Sequence, residues 1–437
     1  MDRGRNRPDR QTTRPSLGHL SPPKNGSERV RPPSPGTGVA PTDREDLIIA
    51  RTAFVSSYPP RRCGIATFTR DLAAATGDRE IAVLLPPERG TPFPLEVHHR
   101  IRRDERADYA HTAAALGACV ELVSIQHDFD TWGGEDGDYV FDFVRSLELP
   151  SVATLHSIPR TPTARQRTIL SDLVASVDAT VVMSDVAASL LATEYGADPR
   201  RVDVIPHGVP DLPLAEPEII KAALGLEGRQ VILSFGLLGP DKGYELMIDA
   251  LPAVVAAHPE ARYVIVGATH PDLVLRDGET YRDALVAQVK RLKLTNHVQF
   301  VDKFAHRVEM TRWLQAADVF VTPYPNLDQM VSGSLSYAMG AGRAIVSTPF
   351  AHAAELLADG RGILVPSATA ELFAAAVNEV LADGELRATL GRAAYDYSRR
   401  MVWSDVGAQY RTLFGRVGAT ASVGAVSSRL GFAGLNA

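Results

Sequence analysis

The chain has 437 residues, which is too long for a single hydrophobic core and is typical of two or three domains. Hydrophobic residues make up 45% and charged residues 22%, as in globular proteins, and a net charge of −6 gives nucleic-acid binding no electrostatic support. The two cysteines, Cys63 and Cys119, are too few for a disulfide framework or a zinc cluster and favour a reducing, cytoplasmic setting.

Both ends of the chain differ in composition from the middle. Residues 1–45 are rich in Arg, Pro, Gly and Ser and contain no apolar run, which predicts a disordered basic tail rather than a signal peptide. Residues 418–437 are small and low in charge, and we expect a flexible tail there. No segment between them is long and apolar enough to span a bilayer.

Short apolar runs alternate with helical patterns through residues 46–210. The runs predict strands at 47–55, 81–85, 120–125, 151–155, 179–183 and 202–205. Several are continuously apolar, as expected of parallel strands that are buried on both faces. With the helical patterns between them, they predict a doubly wound α/β domain.

A proline-rich stretch at 206–217 interrupts this alternation and predicts an interdomain linker. A second series of apolar runs then predicts strands at 230–235, 261–266, 298–301, 319–322, 344–347 and 362–365, within a second α/β domain at 211–417. Two such domains leave a cleft that faces the carboxyl ends of both sheets. Ligands bind at this edge of open α/β sheets.

The segment from Gln329 to Ser347 follows a strand pattern and predicts a loop, a helix, a glycine stop and a buried strand. Ser332, Gly333 and Ser334 stand where the helix begins. Free backbone N–H groups and two hydroxyls at a helix start can bind an anion. The alternative is an ordinary helix N-cap.

A glycine-rich turn opens the second domain between a strand and a helix. Gly236, Gly239 and Gly243 permit tight turns and a close approach of the backbone to a ligand, and Lys242 adds a point charge suited to a diphosphate. The turn is neither GxGxxG nor a Walker motif, which disfavours a nicotinamide dehydrogenase. The alternative for Lys242 is a solvated loop lysine.

Polar residues also follow the strands of the first domain. Gly64 lies in a loop that leads into a helix, and His127 with Asp128, His156 and His207 follow three further strands. A neutral histidine at a cleft can bind a sugar hydroxyl or transfer a proton. The histidines do not share one element at metal-ligand spacing, so we propose no zinc site.

Together these residues resemble the family 4 (group 1) retaining glycosyltransferases of the GT-B fold, over residues 48–415. The motifs that carry the resemblance are Ile205-Pro-His-Gly-Val209, Phe235-Gly-Leu-Leu-Gly-Pro-Asp-Lys-Gly243, Tyr263-Val-Ile-Val-Gly267, residues 335–349 and Asp359-Gly-Arg-Gly-Ile-Leu-Val-Pro366. The blocks at 59–66 and 126–127 resemble a bacterial branch in which mannosyl transfer is common.

The resemblance implies two Rossmann-like domains facing a cleft, with the acceptor on the N-terminal side and the nucleotide on the C-terminal side. The reaction would move a sugar from a UDP- or GDP-linked donor to a hydroxyl of a saccharide or lipid-linked acceptor, with retention and without a metal or other cofactor. His127, Lys242 and Gln329 would be catalytic. Donor-binding residues would be Gly64, Gly236, Lys242, Gly267, Ser332, Gly333, Ser334 and Tyr337. Asp128 and His156 would contact the acceptor or the sugar.

Three positions depart from the family pattern. Leu237 stands where the family usually has arginine, and Gln329 and Tyr337 stand where it usually has two glutamates. A catalytically silent sugar-nucleotide-binding protein and another GT-B enzyme, such as an epimerase, therefore stay open as alternatives. A lipid-linked acceptor would bring the chain to the inner membrane face, where the basic cluster at 98–103 could meet anionic headgroups.

Overall fold

The computed structural model describes residues 51–77, 80–85 and 92–432, with side chains as far as residue 420. These residues all belong to one unit that runs from Leu47 to Ala437. The predicted tail at 1–45 lies outside the described residues. The segment at 418–437, expected to be flexible, is described in part, since the last helix continues through Phe432.

The first sheet of the described chain has seven parallel strands in the order β3-β2-β1-β4-β5-β6-β7. Its strands are β1 Thr52–Ser56, β2 Glu80–Leu85, β3 Val97–Arg102, β4 Leu122–His127, β5 Ser151–Leu155, β6 Ala179–Val182 and β7 Val202–Val204. Its helices are α1 Gly64–Thr76, α2 Arg106–Leu116, α3 Val140–Val144, α4 Ala164–Ser176 and α5 Asp185–Tyr195. The strand order reverses between β1 and β4, as in doubly wound domains.

The second sheet of the described chain has six parallel strands in the order β10-β9-β8-β11-β12-β13. Its strands are β8 Gln230–Phe235, β9 Ala261–Val266, β10 Val298–Val301, β11 Val319–Thr322, β12 Ala344–Ser347 and β13 Ile363–Leu364. The helices are α6 Pro217–Ala223, α7 Tyr244–Ala257, α8 Pro271–Asp277, α9 Thr280–Arg291, α10 Arg307–Ala316, α11 Gly333–Gly340, α12 Ala351–Leu356, α13 Ala370–Ala382, α14 Gly384–Ser398 and α15 Trp403–Phe432. The predicted doubly wound architecture is confirmed in both halves.

The buried strands follow the predicted runs closely because each is apolar on both faces. Five strands of the second sheet, β8 to β12, have the predicted bounds. The sequence prediction omitted β3, whose residues had been assigned only to a basic cluster. This strand lies at the edge of the sheet and exposes His98, Arg100 and Arg102, while Val97 and Ile101 are buried. Charged side chains on an edge strand discourage pairing with other chains.

Helix α15 follows the second sheet in sequence but packs on the first. The Phe414 ring lies 6.2 Å from the Phe54 ring of β1, and the Tyr410 hydroxyl is 3.1 Å from the Thr154 hydroxyl of β5. Val406, Tyr410 and Phe414 recur at helical spacing and are buried in the cluster that includes Phe54. The predicted C-terminal domain, 211–417, therefore contains a segment, 403–417, that packs with the N-terminal half in the structure.

The chain passes between the two halves at two neighbouring points. Val209 forms a parallel bridge with Val402. The Val209 N–H donates to the Met401 carbonyl at 2.8 Å, and the Trp403 N–H donates to the Val209 carbonyl at 3.0 Å. The predicted linker is thus hydrogen-bonded to the segment that returns to the first half.

Candidate functional site

A cleft of about 820 Å³ lies between the two halves. Residues that follow β1, β4 and β7 form one side, and residues that follow β8, β9, β10 and β11 form the other. Of the predicted site residues, the cleft is lined by Gly64, Gly236, Lys242, Gly267, Gln329, Ser332, Gly333, Ser334 and Tyr337. Because β8 and β11 are neighbours at the point where strand order reverses, their loops converge on one crevice.

Lys242 lies at the centre of the polar contacts on the C-terminal side. Its Nζ is 2.7 Å from Asp241 Oδ2, donates to Gln329 Oε1 at 3.4 Å, and sits 4.6 Å from the centre of the Tyr324 ring. Burial favours the neutral amine, yet Tyr324 and Asp241 together raise the pKa of Lys242 above its ordinary value. The side chain is therefore a cation at neutral pH.

The Ser332–Ser334 turn begins α11 as predicted. The Ser332 hydroxyl accepts from the Leu335 N–H at 3.3 Å, and the Ser334 hydroxyl is 2.9 Å from the Tyr324 hydroxyl. The Ser332 N–H is already used, since it donates to His352 Nδ1 at 2.9 Å. An anion at this helix start would therefore meet the Gly333 and Ser334 N–H groups and the serine hydroxyls.

Two glycines are required here by close approach. A Cβ on Gly333 would lie 2.9 Å from His207 Nε2, and a Cβ on Gly267 would lie 1.8 Å from the Gly236 carbonyl oxygen. The first contact sets His207 directly against the serine turn. The absence of a side chain on Gly267 lets the ends of β8 and β9 approach closely, so that Gly236 and Gly267 border the cleft side by side.

His127, Asp128 and His156 do not line the cleft. Both ring nitrogens of fully buried His127 lack a hydrogen-bond partner among the described residues, and its ring packs 5.4 Å from Phe129. His156 Nε2 pairs with Gln126 Oε1 at 2.9 Å, and Asp128 accepts from the Ser157 hydroxyl. Burial lowers the pKa of both histidines, so each is neutral at pH 7. Their predicted roles stay predictions.

Of the three histidines predicted at strand ends, His207 lines the cleft. Its Nδ1 lies 2.8 Å from the Gly208 carbonyl, which acts as acceptor and fixes the proton on Nδ1. The ring packs 5.2 Å from Phe68 of α1 and 5.4 Å from Tyr337 of α11. Burial lowers the pKa of His207 to about 4, so Nε2 is a neutral acceptor at pH 7.

Sequence reasoning missed Arg70 and Asp71, which line the cleft from α1. Arg70 Nε and Nη2 both donate to Asp71 Oδ1, at 2.9 and 2.8 Å. A signal was available, because Gly64, Thr67 and Asp71 are spaced three and four residues apart and therefore share one face of the helix. Arg307 at the start of α10 was missed as well and has no comparable sequence signal.

The described residues contain no group of three or more His, Cys, Asp or Glu side chains that could hold a metal ion. Positive charge in the cleft comes instead from Arg70, Lys242, Arg276, Lys303 and Arg307. None of the helices in the described part of the chain is both long and apolar enough to cross a membrane.

Two family models match the chain. The model described as glycosyl transferases group 1 matches residues 216–397, and the model described as glycosyltransferase family 4 matches residues 63–211. The two matches lie on either side of residues 212–215 and cover most of both halves of the molecule.

Curated relatives agree with these models. The chain is 28% identical over 306 residues to the D-inositol 3-phosphate glycosyltransferase of Jonesia denitrificans, covering 63% of this chain and 68% of the relative. It is 28% identical over 278 residues to the phosphatidyl-myo-inositol mannosyltransferase of Mycolicibacterium smegmatis, covering 62% of this chain and 66% of the relative.

Solved structures share the fold at lower identity. HepE of Anabaena, solved with UDP and glucose, matches with a TM-score of 0.69 and 17% identity, over 84% of this chain and 100% of that one. The trehalose 6-phosphate synthase of Burkholderia multivorans matches with a TM-score of 0.64 and 17% identity, over 86% of this chain and 98% of that one. The chain therefore has the GT-B fold, belongs to the group 1, family 4 glycosyltransferases, and is itself a glycosyltransferase.

Proposed function

We propose that this glycosyltransferase moves a hexosyl group from a UDP- or GDP-linked donor to a hydroxyl of a polyol, saccharide or lipid-linked acceptor, with retention of anomeric configuration. The observation that carries the proposal is the convergence of Lys242 and the Ser332–Ser334 turn on one cleft at the strand reversal of the second sheet.

The leaving group of such a reaction is a nucleoside diphosphate, which gains negative charge as the glycosidic bond breaks. The half-buried ammonium group of Lys242 and the N-terminus of α11 both line the cleft, and we expect this charge to develop beside them. Fixed donors of this kind stabilise a transition state without reorganising water. Gln329 accepts from Lys242 through Oε1 and donates from Nε2 to the Val331 carbonyl at 2.8 Å, so it would hold the ammonium group in place and keep the second Nε2 hydrogen for the sugar.

The relatives suggest which substrates to test. Their names include inositol 3-phosphate and phosphatidyl-myo-inositol as substrates, and mannose as a transferred sugar. Solved neighbours were determined with UDP, glucose and UDP-glucose. A phosphorylated or lipid-linked polyol is accordingly the acceptor class that we propose first, with GDP-mannose and UDP-glucose as first donors.

The test is nucleoside-diphosphate release by the purified full-length chain, with GDP-mannose, UDP-glucose, UDP-galactose, UDP-N-acetylglucosamine or ADP-glucose, each with and without inositol phosphate. One donor should be consumed, and Lys242→Ala should lower kcat by about 10²- to 10³-fold. Lys290→Ala, which removes an exposed lysine of α9, is the matched control and should leave the rate unchanged.

Product NMR would then establish whether the anomeric configuration is retained. Binding of a donor without transfer or hydrolysis across the panel would support a silent sugar-nucleotide-binding protein. Absence of donor binding at millimolar concentration would overturn the proposal.

A further inference from the structure

Asp71 differs from the other carboxylates of the cleft in its burial. It is 5% exposed, whereas the side chains of Asp241 and Asp272 are 58% and 53% exposed. Asp130 is also exposed. A carboxylate is costly to bury unless its oxygens are bound to donors. The bonding of Asp71 is therefore informative.

Only one oxygen of Asp71 is used within the described residues. Arg70 donates twice to Oδ1, and Oδ2 has no hydrogen-bond partner there. Oδ2 is not among the side-chain atoms that are both sealed from solvent and unpaired. Because Asp71 lines the cleft, the free lone pairs of Oδ2 are open to a bound ligand.

The groups that face Asp71 define what this ligand can present. Tyr337 of α11 and Arg307 of α10 lie across from it, and each interacts electrostatically with its carboxylate. Oδ2 is a carboxylate oxygen, so it accepts hydrogen bonds and repels a phosphate placed directly against it, although Arg70 and Arg307 lie nearby. The ligand group that meets Oδ2 is therefore a hydrogen-bond donor without negative charge.

We propose that Asp71 Oδ2 accepts a hydrogen bond from a sugar or polyol hydroxyl in the cleft, and that Asp71 is a specificity-determining residue supplied by the N-terminal half. This inference rests on the proposed function. Arg70 is its positioning residue, because the two N–H donors on Oδ1 fix the carboxylate and leave Oδ2 directed at the ligand. The hydroxyl belongs either to the donor or to the acceptor.

Steady-state kinetics of Asp71→Asn and Asp71→Ala test the assignment. Loss of a charged hydrogen-bond acceptor should lower kcat/KM by about 10- to 100-fold. A rise in KM confined to the sugar nucleotide assigns the hydroxyl to the donor, and a rise confined to the second substrate assigns it to the acceptor. Calorimetry with UDP or GDP alone then separates a ribose hydroxyl from a hexose hydroxyl.

A pH profile separates this role from a structural one. Burial, partly offset by Arg70 and Arg307, raises the pKa of Asp71, while Tyr58 and Tyr337 beside it stay neutral. The carboxylate is therefore lost as pH falls through this raised pKa, and kcat/KM should fall with it. In Asp71→Asn this acid limb should disappear while the melting temperature is unchanged.

Asp172→Asn is the matched control, since Asp172 is an exposed helical aspartate of the same half. Unchanged kcat/KM and an unchanged acid limb in both Asp71 variants would overturn the inference. Failure of the proposed function gives a different result, because the wild-type chain would then consume none of the sugar nucleotides. If the wild-type chain binds a sugar nucleotide without turnover, equal calorimetric affinity in Asp71→Ala would likewise overturn the assignment.

Discussion

The contact between His207 and Gly333 joins the linker to the Ser332–Ser334 turn. His207 Nδ1 is held by the Gly208 carbonyl, so the ring cannot turn without losing that bond. The space beside Nε2 admits a glycine and no larger residue. A histidine outside the C-terminal half thereby limits the shape of the proposed donor site.

We expect Gly333→Ala to weaken binding of the sugar nucleotide by about 10-fold, because the new methyl group displaces either His207 or the turn. Calorimetric titration with the donor measures the change. The double variant Gly333→Ala with His207→Ala removes the obstructing ring and should recover part of the affinity. If the affinity losses of Gly333→Ala and His207→Ala simply add in the double variant, this explanation is contradicted.

At the residue scale, the sequence located residues of the cleft where a strand end and a glycine occur together, and the roles of these residues stay predictions. Lys242 and Ser332 were identified because each follows an apolar run and stands in a glycine-containing turn. Asp71 was missed because it lies two turns inside α1, where a polar residue also suits a solvated face. The burial of His127 was likewise hidden, since a strand pattern does not reveal whether its last residue is covered.

At the scale of elements, helix α12 of the second half contacts the start of α5 in the first. Both oxygens of Glu355 accept from backbone N–H groups, those of Asp185 and Val186, each at 3.1 Å. Free N–H groups at a helix start favour a carboxylate. Met330 and Ala351 are also buried in the hydrophobic cluster of the first half, so the contact is apolar as well as polar.

This contact is connected to the proposed donor site through α12. The His352 N–H donates to the Gln329 carbonyl at 3.2 Å, and His352 Nδ1 accepts from the Ser332 N–H. The loop that carries Gln329 and Ser332 is thus attached to the same short helix that Glu355 fixes to α5. The position of the first half therefore affects the geometry of the loop that carries Gln329 and Ser332.

We expect Glu355→Ala to favour separation of the two halves and to weaken donor binding by about 2- to 5-fold, since a carboxylate at a helix start contributes about 0.3–1 kcal/mol. Small-angle X-ray scattering should show a larger radius of gyration without donor, and calorimetry should show the lower affinity. Glu371→Ala, in the first turn of α13, is the control within the same half. Equal effects of the two substitutions would disprove the coupling.

Elements buried on both faces were predicted well, and those that depend on tertiary contacts were not. The bounds of β8 to β12 follow from apolar runs alone. Edge strand β3 and the return of α15 to the first sheet depend on partners distant in sequence, which periodicity does not identify. The fold class was nevertheless accessible, because the alternation of strands and helices occurs twice.

Considered as a whole molecule, the protein buries histidines near the junction of its halves. His207 and His352 are both buried, and burial lowers their pKa values to about 4 and about 3. In the unfolded chain each would titrate near its ordinary pKa of about 6.5. Below that pH the unfolded state takes up more protons than the folded state.

The contribution of these two histidines to the free energy of unfolding should therefore be complete above about pH 6.5. It should decline as the pH falls toward the folded pKa values. Each of the two histidines should cost about 2 kcal/mol at pH 5. Urea unfolding at pH 7 and pH 5 measures the decline. His352→Asn, whose side-chain oxygen can still accept from the Ser332 N–H, should reduce this decline by about 2 kcal/mol, which is the share of one histidine. Exposed His111→Gln should leave it unchanged, and an equal decline in all three proteins would refute the assignment.

The two neighbouring crossings give the molecule the topology of one domain inserted into another. Both ends of the N-terminal half, Arg51 at the start of β1 and α15 after Trp403, lie outside the inserted segment, and the two ends of that segment meet at the Val209–Val402 bridge. An insertion whose ends are adjacent can be exchanged as a cassette with little disturbance of its host. Residues 210–402 of a relative with another donor could be grafted here, with Asp71 and the rest of the N-terminal half retained. Donor and acceptor preference in this family would then be separable by recombination at a single pair of neighbouring backbone positions.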